Sequence, residues 1–318
     1  MHDHARKLLE HPAGCSGKLL TMRAVPHSTV DAMDGLGLRS ASDAAALHLA
    51  TEPVPPLALE IAEILLRLHD DRTTVRDLEH CIEREPQLED RLLALINSPF
   101  YGLQSISSAR HAVMVLGFRG LRSMLLGLGV TDVLSGDFLV YGSEPLGLAR
   151  RAIGVAAAAR ALAKELSFTA AARERLFVAG LLHEIGKVLL APHLTPHLLP
   201  TEPMALILAE RAALGVDHAE AGRLVAREWR IDPDVQALLR QRDQDAGRSS
   251  AAPLPAVLQL AQAIVHQRGL GYRPGSVPVM QVRPMDALPR LSGSRWHGAL
   301  DGAVEAVDIA DRSWFGQH

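Results

Sequence analysis

The chain is poor in aromatic residues, has two cysteines and almost no lysine, and each shortage narrows what it can be. Phe, Trp and Tyr make up 4% of its 318 residues. Its core is therefore built from aliphatic side chains and alanine, a composition that favours helix. Cys15 and Cys81 offer neither a disulfide framework nor a thiolate metal spacing, which suits a reducing compartment. Lysine occurs only as Lys7, Lys18, Lys164 and Lys187, and arginine supplies the remaining basic side chains. That skew alone does not indicate phosphate recognition. The net charge of −3 is too small to indicate a nucleic-acid or membrane partner. Met1–Lys18 lacks the apolar segment of a secretory signal. The longest apolar stretch, Ala112–Leu134, is interrupted by Arg119, Arg122 and several glycines, so it does not read as a bilayer span. The expectation is a soluble, cytoplasmic protein with no membrane partner.

What is present is helical patterning. Hydrophobic residues make up 48% of the chain, enough for a substantial core. Met1–Glu52 is weakly patterned: His2, His4 and His11 sit in a polar context, and Ser42-Asp43 could cap a short helix. Pro53-Val54-Pro55-Pro56 then marks a boundary. Leu57, Ile61, Ile64, Leu65 and Leu68 recur at helical spacing. Thr74 with Asp77 resembles a capping box, and Pro86 suits a helical first turn. Asn97-Ser98-Pro99 closes that helix. Phe100-Tyr101-Gly102-Leu103 follows, a packed turn or a binding surface. Ser107 or Ser108 caps a fourth helix, and Gly117 separates it from a fifth, Leu121 to about Leu134.

Ser135–Glu144 reads as a connector. Helices are then expected at Leu146–Leu166, Ala171–Leu190, Met204–Leu214, Asp217–Trp229, Asp232–Arg240 and Leu254–Gln267. Gly269–Gly293 reads as a long Pro/Gly loop. Trp296, Leu300, Val304, Val307, Ala310 and Trp314 then form one apolar stripe, which is expected to dock on this chain or on a partner. With no strand-like alternation, the fold class is all-α.

The chemistry centres on Leu176–Leu190, an apolar run that contains the adjacent pair His183-Glu184. Burying such a pair requires partners. A metal, the two residues themselves, or nearby basic groups could fill that role.

Two stretches together resemble the HDOD family, bacterial signalling relatives of the HD phosphohydrolases. One is Arg91-Leu-Leu-Ala-Leu-Ile-Asn-Ser-Pro-Phe-Tyr-Gly-Leu with Ile106-Ser-Ser and Val115-Leu-Gly-Phe-Arg-Gly-Leu-Arg. The other is Ala179-Gly-Leu-Leu-His-Glu-Ile-Gly-Lys. The resemblance covers about residues 53–270. It implies an N-terminal helical lobe, 53–135, packed on an HD-like helical lobe, 144–270, with 1–52 and 271–318 outside. It also implies where the metal ligands of an HD hydrolase would fall. The early His falls at Arg151, the doublet at His183-Glu184, the later histidines near Gln241 and the late Asp at about Gln262. Only His183 keeps the ligand type, and one imidazole does not hold a catalytic metal. The resemblance thus implies a degenerate site without metal or other cofactor, in which Arg150 or Arg151 would pair with Glu184. Lys187 would disfavour a cation further. His218 and Glu220 could suggest substitute ligands, but fit a helix start better.

The function this implies is a non-catalytic signalling or scaffold module that binds protein partners, in cyclic-dinucleotide or sensory regulation, with a homo-oligomer as one arrangement. The alternative is a metal-dependent HD-type phosphohydrolase with an unorthodox site. Nucleic-acid or nucleotide binding through Arg119, Arg122, Arg150 and Arg151 is a third, more distant reading. The candidate interaction surface is Asn97, Tyr101, Arg119 and Arg122, with Phe100 or Tyr101 mainly core and Arg119 or Arg122 facing outward.

Overall fold

Pro53–Pro56 leads into α1 (Leu59–Arg67), which turns Ile61, Ile64 and Leu65 inward. The structure is a computed structural model, and it describes residues 53–103, 105–194, 199–200, 203–244, 253–274 and 294–316. The expected helix after Ser42, most of the Pro/Gly loop, and the side chains of Gln241 and Trp296 lie outside the described residues. Helix α2 (Val75–Glu83) begins with the expected capping box: Thr74 Oγ1 accepts from Asp77 N–H, and the Asp77 carboxylate accepts from Thr74 N–H. Helix α3 (Pro86–Ile96) carries its proline in the first turn, where the missing N–H costs nothing.

Ser108 caps α4 (Ala109–Val133) by accepting from His111 N–H. The helix is broken at Gly117, whose φ of 66° suits a residue without Cβ. Beyond the break, Leu121 and Met124–Val130 or their immediate neighbours fill the interior. Next, α5 (Gly147–Glu165) is buried over most of its surface. Its alanines at 152, 156, 157, 158, 159 and 163 let neighbours approach closely. It packs against α6 (Ala170–Leu182), α11 (Pro253–Gln267) and α12 (Ser294–Phe315). Between α6 and α11 come the single turn α7 (Lys187–Leu190), α8 (Pro203–Leu214), α9 (His218–Glu228) and α10 (Pro233–Gln244). The described residues contain no strand, so the architecture is all-α. Two segments, Ala109–Val133 and Ala170–His193, are long and apolar enough to cross a membrane by composition, but here they are core helices, 56% and 72% buried.

Two expectations need correction. The helix expected over Ala171–Leu190 stops at Leu182, and 183–186 form turns before α7. The reason lies at Gly186, whose Cα packs against the backbone of His218 and Gly222 so closely that a Cβ would collide with the His218 carbonyl. The C-terminal stripe is also rotated. The fully buried residues of α12 are Ala299, Ala303, Val307 and Ala310, with Leu300 and Val304 half-buried beside them. The alanine-rich face of α5 accepts the small-residue face of its neighbour, since two faces of small side chains bring the backbones closest. The expectation of docking on this chain is met for the described part of α12. Arg150 ties it down with a two-pronged bond to Asp311, 2.8 and 2.7 Å, while also reaching Glu144 at 2.6 Å. Arg268 pairs with Asp308.

Candidate functional site

The break after α6 aims three charged or polar side chains at α5. Glu184, only 4% exposed at its side chain, lies against Arg151, which is 0% exposed. Arg151 Nε donates to Glu184 Oε2 at 2.8 Å, and its Nη1 donates to the Gly271 carbonyl at 2.8 Å. The guanidinium also stacks on Tyr272, 4.2 Å from the ring centroid. The other carboxylate oxygen, Oε1, accepts from Lys187 Nζ three residues on. His183 Nδ1 lies 2.7 Å from the Gly180 carbonyl oxygen, which assigns the hydrogen to that nitrogen. Its Nε2 is 4.0 Å from Glu184 Oε2.

A second buried carboxylate stands beside this cluster. Glu210, on α8, is fully buried and takes both the backbone N–H of His218 at 2.9 Å and its Nδ1 at 2.6 Å. Tyr141 bridges the two halves: Lys187 Nζ lies 5.1 Å from its ring, and its phenol faces Glu210. Asp217 accepts from Glu220 N–H and caps α9, so Glu220 faces solvent and is no ligand.

The electrostatics follow from burial and pairing. Burial alone would raise the Glu184 carboxyl, but Arg151, then Lys187 and His183, hold it well below the usual carboxylate range. Burial pulls the Lys187 ammonium down, with Glu184 opposing. It also works against the Arg151 charge, but Glu184, Tyr272 and Glu144 together outweigh it and the guanidinium stays charged. Burial, then Glu210, push the Tyr141 phenol well above its usual range.

These side chains do not fit a divalent metal. Both oxygens of Glu184 already accept from cations, Arg151 and Lys187. At an effective dielectric near 20, a divalent ion about 4 Å from either cation would be repelled by on the order of 8 kcal/mol. Among the described residues, no three His, Cys, Asp or Glu side chains gather as a metal would need. The geometry gives each of two buried carboxylates its own partner: Arg151 and Lys187 for Glu184, and His218 for Glu210.

The family profile of the HDOD domain matches residues 54–244, more than half of the chain. The chain belongs to the HDOD family. An HDOD domain protein of unknown function from Geobacter sulfurreducens superposes with a TM-score of 0.61 at 22% identity, covering 85% of this chain and 98% of that one. A Shewanella amazonensis SB2B protein provisionally named a metal-dependent phosphohydrolase gives 0.59 at 15% identity, over 90% and 99% of the two chains. A Marinobacter aquaeolei VT8 protein provisionally named a signal transduction protein gives 0.57 at 20% identity, over 92% and 66%. At these identities the likeness is one of fold. An uncharacterized protein of Treponema pallidum (strain Nichols) is 25% identical over 214 residues, 62% of this chain. The chain spans only 39% of that relative's length.

Of the site positions that the HDOD resemblance marks, Arg151, His183 and Glu184 come together. Gln262 is half-buried on α11, with no bond to this cluster; His266, one turn on, meets Tyr272 edge-to-face at 5.3 Å. Gln241 lies on α10, its side chain outside the described residues. Arg151, not Arg150, pairs with Glu184. Tyr141, Glu210 and Tyr272 escaped the sequence reading. Glu210 left one signal, a lone carboxylate in the apolar run Met204–Leu214. Tyr141 and Tyr272 lie in segments that read as connectors.

The candidate interaction residues divide. Asn97 works inside the chain: its amide exchanges two bonds with the Ile106 backbone, 2.8 and 2.9 Å, and pins the Phe100 loop. Tyr101 is half-buried with its hydroxyl fully enclosed. It meets Phe100 edge-to-face, and Arg160 lies over both rings and over Phe177. Trp314 of α12 closes on Phe100 at 6.4 Å. Asn97 and Tyr101 are thus used in folding, because the aromatic turn is the seam between the lobes. Arg119 is exposed, and Arg122 is half-buried. Binding of a nucleotide by Arg151 conflicts with its complete burial, and by Arg150 with its bonds to Asp311 and Glu144.

Proposed function

We propose that this HDOD protein is a non-catalytic signalling module that acts through contacts with other proteins. The observation that carries the reading is the Arg151–Glu184–Lys187 cluster. The carboxylate of the His183-Glu184 doublet is spent on two buried cations, one of them Arg151, where the family resemblance expects a metal ligand. A hydrolytic metal must bind water and neutralise phosphate charge, and this cluster offers it repulsion. The arrangement serves as core architecture, so the output of the chain lies in what it binds. Signalling is also the role attached to the Marinobacter relative by name.

Elemental analysis of protein purified without chelators tests this, together with a phosphodiesterase assay in added manganese or iron. The expected result is sub-stoichiometric metal and no turnover. Stoichiometric metal with turnover abolished by His183→Ala would overturn the reading in favour of an unorthodox phosphohydrolase.

A further inference from the structure

We infer that the groove between α4, α6 and the start of α10 binds a free α-amino acid with an aliphatic side chain. Its carboxylate meets Arg122, its ammonium meets Glu174, and its side chain lies on the groove floor. Such a site goes beyond protein contacts and gives the signalling module a small-molecule ligand. The lining shares no residue with the Arg151–Glu184–Lys187 cluster.

The floor is Leu126, Val178, Ile231 and Val235, all aliphatic and all buried in the folded chain. The space above it is about 170 Å³, smaller than the roughly 300–1,000 Å³ of pockets that take drug-sized ligands. Around the floor the charges balance. Arg119 and Arg122 come from α4, Glu174 from α6 and Asp232 from the residue before α10. Arg175 also lines the groove but is taken by Asp234 at 2.5 Å. The other four form no salt bridge with one another among the described residues. Arg119 and Asp232 are exposed at the rim, whereas Arg122 and Glu174 are half-buried. Those inner two have only partners without an opposite charge. Glu174 accepts from the Ser123 hydroxyl at 2.6 Å. Arg122 reaches an imidazole nitrogen of His69, 2.6 Å, and the Arg230 carbonyl, 3.3 Å. Burial pulls the Arg122 guanidinium below its usual value, with Asp232 opposing.

A cation and a carboxylate, each partly desolvated and neither neutralised, therefore face one small space. That balance selects the ligand. An anion would meet Glu174 and Asp232 as well as the arginines, and a cation would meet Arg119 and Arg122 as well as the acids. An uncharged apolar molecule would cover the floor but take water from Glu174 and Arg122 without replacing it. A zwitterion answers both signs at once, through charge-assisted hydrogen bonds that are stronger where water is already partly excluded. The hydrocarbon floor offers no hydrogen-bonding side chain, so it matches an aliphatic substituent. A peptide segment carries its ammonium and carboxylate at opposite ends, whereas a free amino acid brings both into a space this size.

The test titrates the full chain with L-leucine and follows the methyl resonances of Leu126, Val178 and Val235. Two derivatives serve as comparisons: N-acetyl-leucine lacks the ammonium, and leucinamide lacks the carboxylate. L-leucine should shift those methyls and raise the melting temperature by mass action. Each derivative should bind roughly tenfold more weakly or worse, the loss expected for one charged hydrogen bond. Glu174→Gln keeps an acceptor for Ser123, and it should bring L-leucine down to the level of N-acetyl-leucine without weakening N-acetyl-leucine itself. No methyl shift at millimolar L-leucine, equal binding of either derivative, or undiminished L-leucine binding by Glu174→Gln would overturn the site. The ranking of the three ligands on the natural chain decides the matter even where Glu174→Gln does not fold.

Discussion

Two arginines lie against aromatic rings in this molecule, and they are held in opposite ways. Arg151 is sealed inside the HD-like lobe, on Tyr272, with Glu184 as counter-charge and the Gly271 carbonyl as second acceptor. Arg160 is half-buried at the seam, 4.4 Å from the Phe100 centroid and 4.7 Å from that of Phe177, with no carboxylate bridge among the described residues. The inner arginine has lost its water and depends on an opposite charge. The outer one is only half-buried and lays its flat guanidinium on three aromatic rings as packing material. The comparison explains why the same residue type is a fixed electrostatic element in one place and a replaceable cover in the other.

The largest break in that contrast is Arg151→Met. It strands Glu184 in the core beside a lysine that burial already disfavours, so about 3–5 kcal/mol of stability should be lost in chemical denaturation. Pairing it with Glu184→Leu should restore much of the loss, since two apolar residues remove both charges. A double variant no more stable than the single one would mean that the cluster does not depend on charge balance.

Glu184→Gln sharpens the same point through pH and should cost about 3 kcal/mol at neutrality. The folded carboxyl titrates well below its ordinary value of 4.5. Its contribution is therefore complete above that value and fades as pH falls through the folded value, where the native carboxylate finally takes up a proton. Acid titration of stability should show a steeper decline in the natural chain than in Glu184→Gln, and the two curves should converge at low pH.

At the seam, Phe100→Ala should cost about 2–3 kcal/mol, below the range for a fully buried phenylalanine because Phe100 is half-buried. Thermal melts would read it, and the indole emission of Trp314, 6.4 Å away, should shift with it. Arg160→Met should have the smallest effect, about 1 kcal/mol, with no change in the acid limb. A loss at Arg160 equal to that at Arg151 would erase the distinction between the two arginines.

Much of this was legible in the chain. The Thr74–Asp77 box, Pro86 in a first turn, the Ser108 cap and the Gly117 break are short-range devices, each decided by residues within four positions. His183-Glu184 was legible as a buried pair because an apolar run surrounded it. Less legible was Gly186, which reads as one more small residue until the α9 backbone is placed against it. Tyr141 and Tyr272 gave no signal, because their roles depend on where connectors run over the lobe. The rotated face of α12 could not be read from its own stripe, since the alanine surface of α5 selected which side would be covered.

By itself, then, the sequence determined where most helices begin, and that a carboxylate would be buried beside a histidine. Caps, turns and apolar periodicity act over one turn of backbone, so they are written locally. The identity of the counter-charge was decided only by the tertiary structure. Arg150 and Arg151 are neighbours with the same chemistry, and they point about 100° apart around one helix. Packing turned Arg151 toward Glu184, 33 residues on, and toward Gly271, 120 residues on, and it left Arg150 to hold α12 through Asp311.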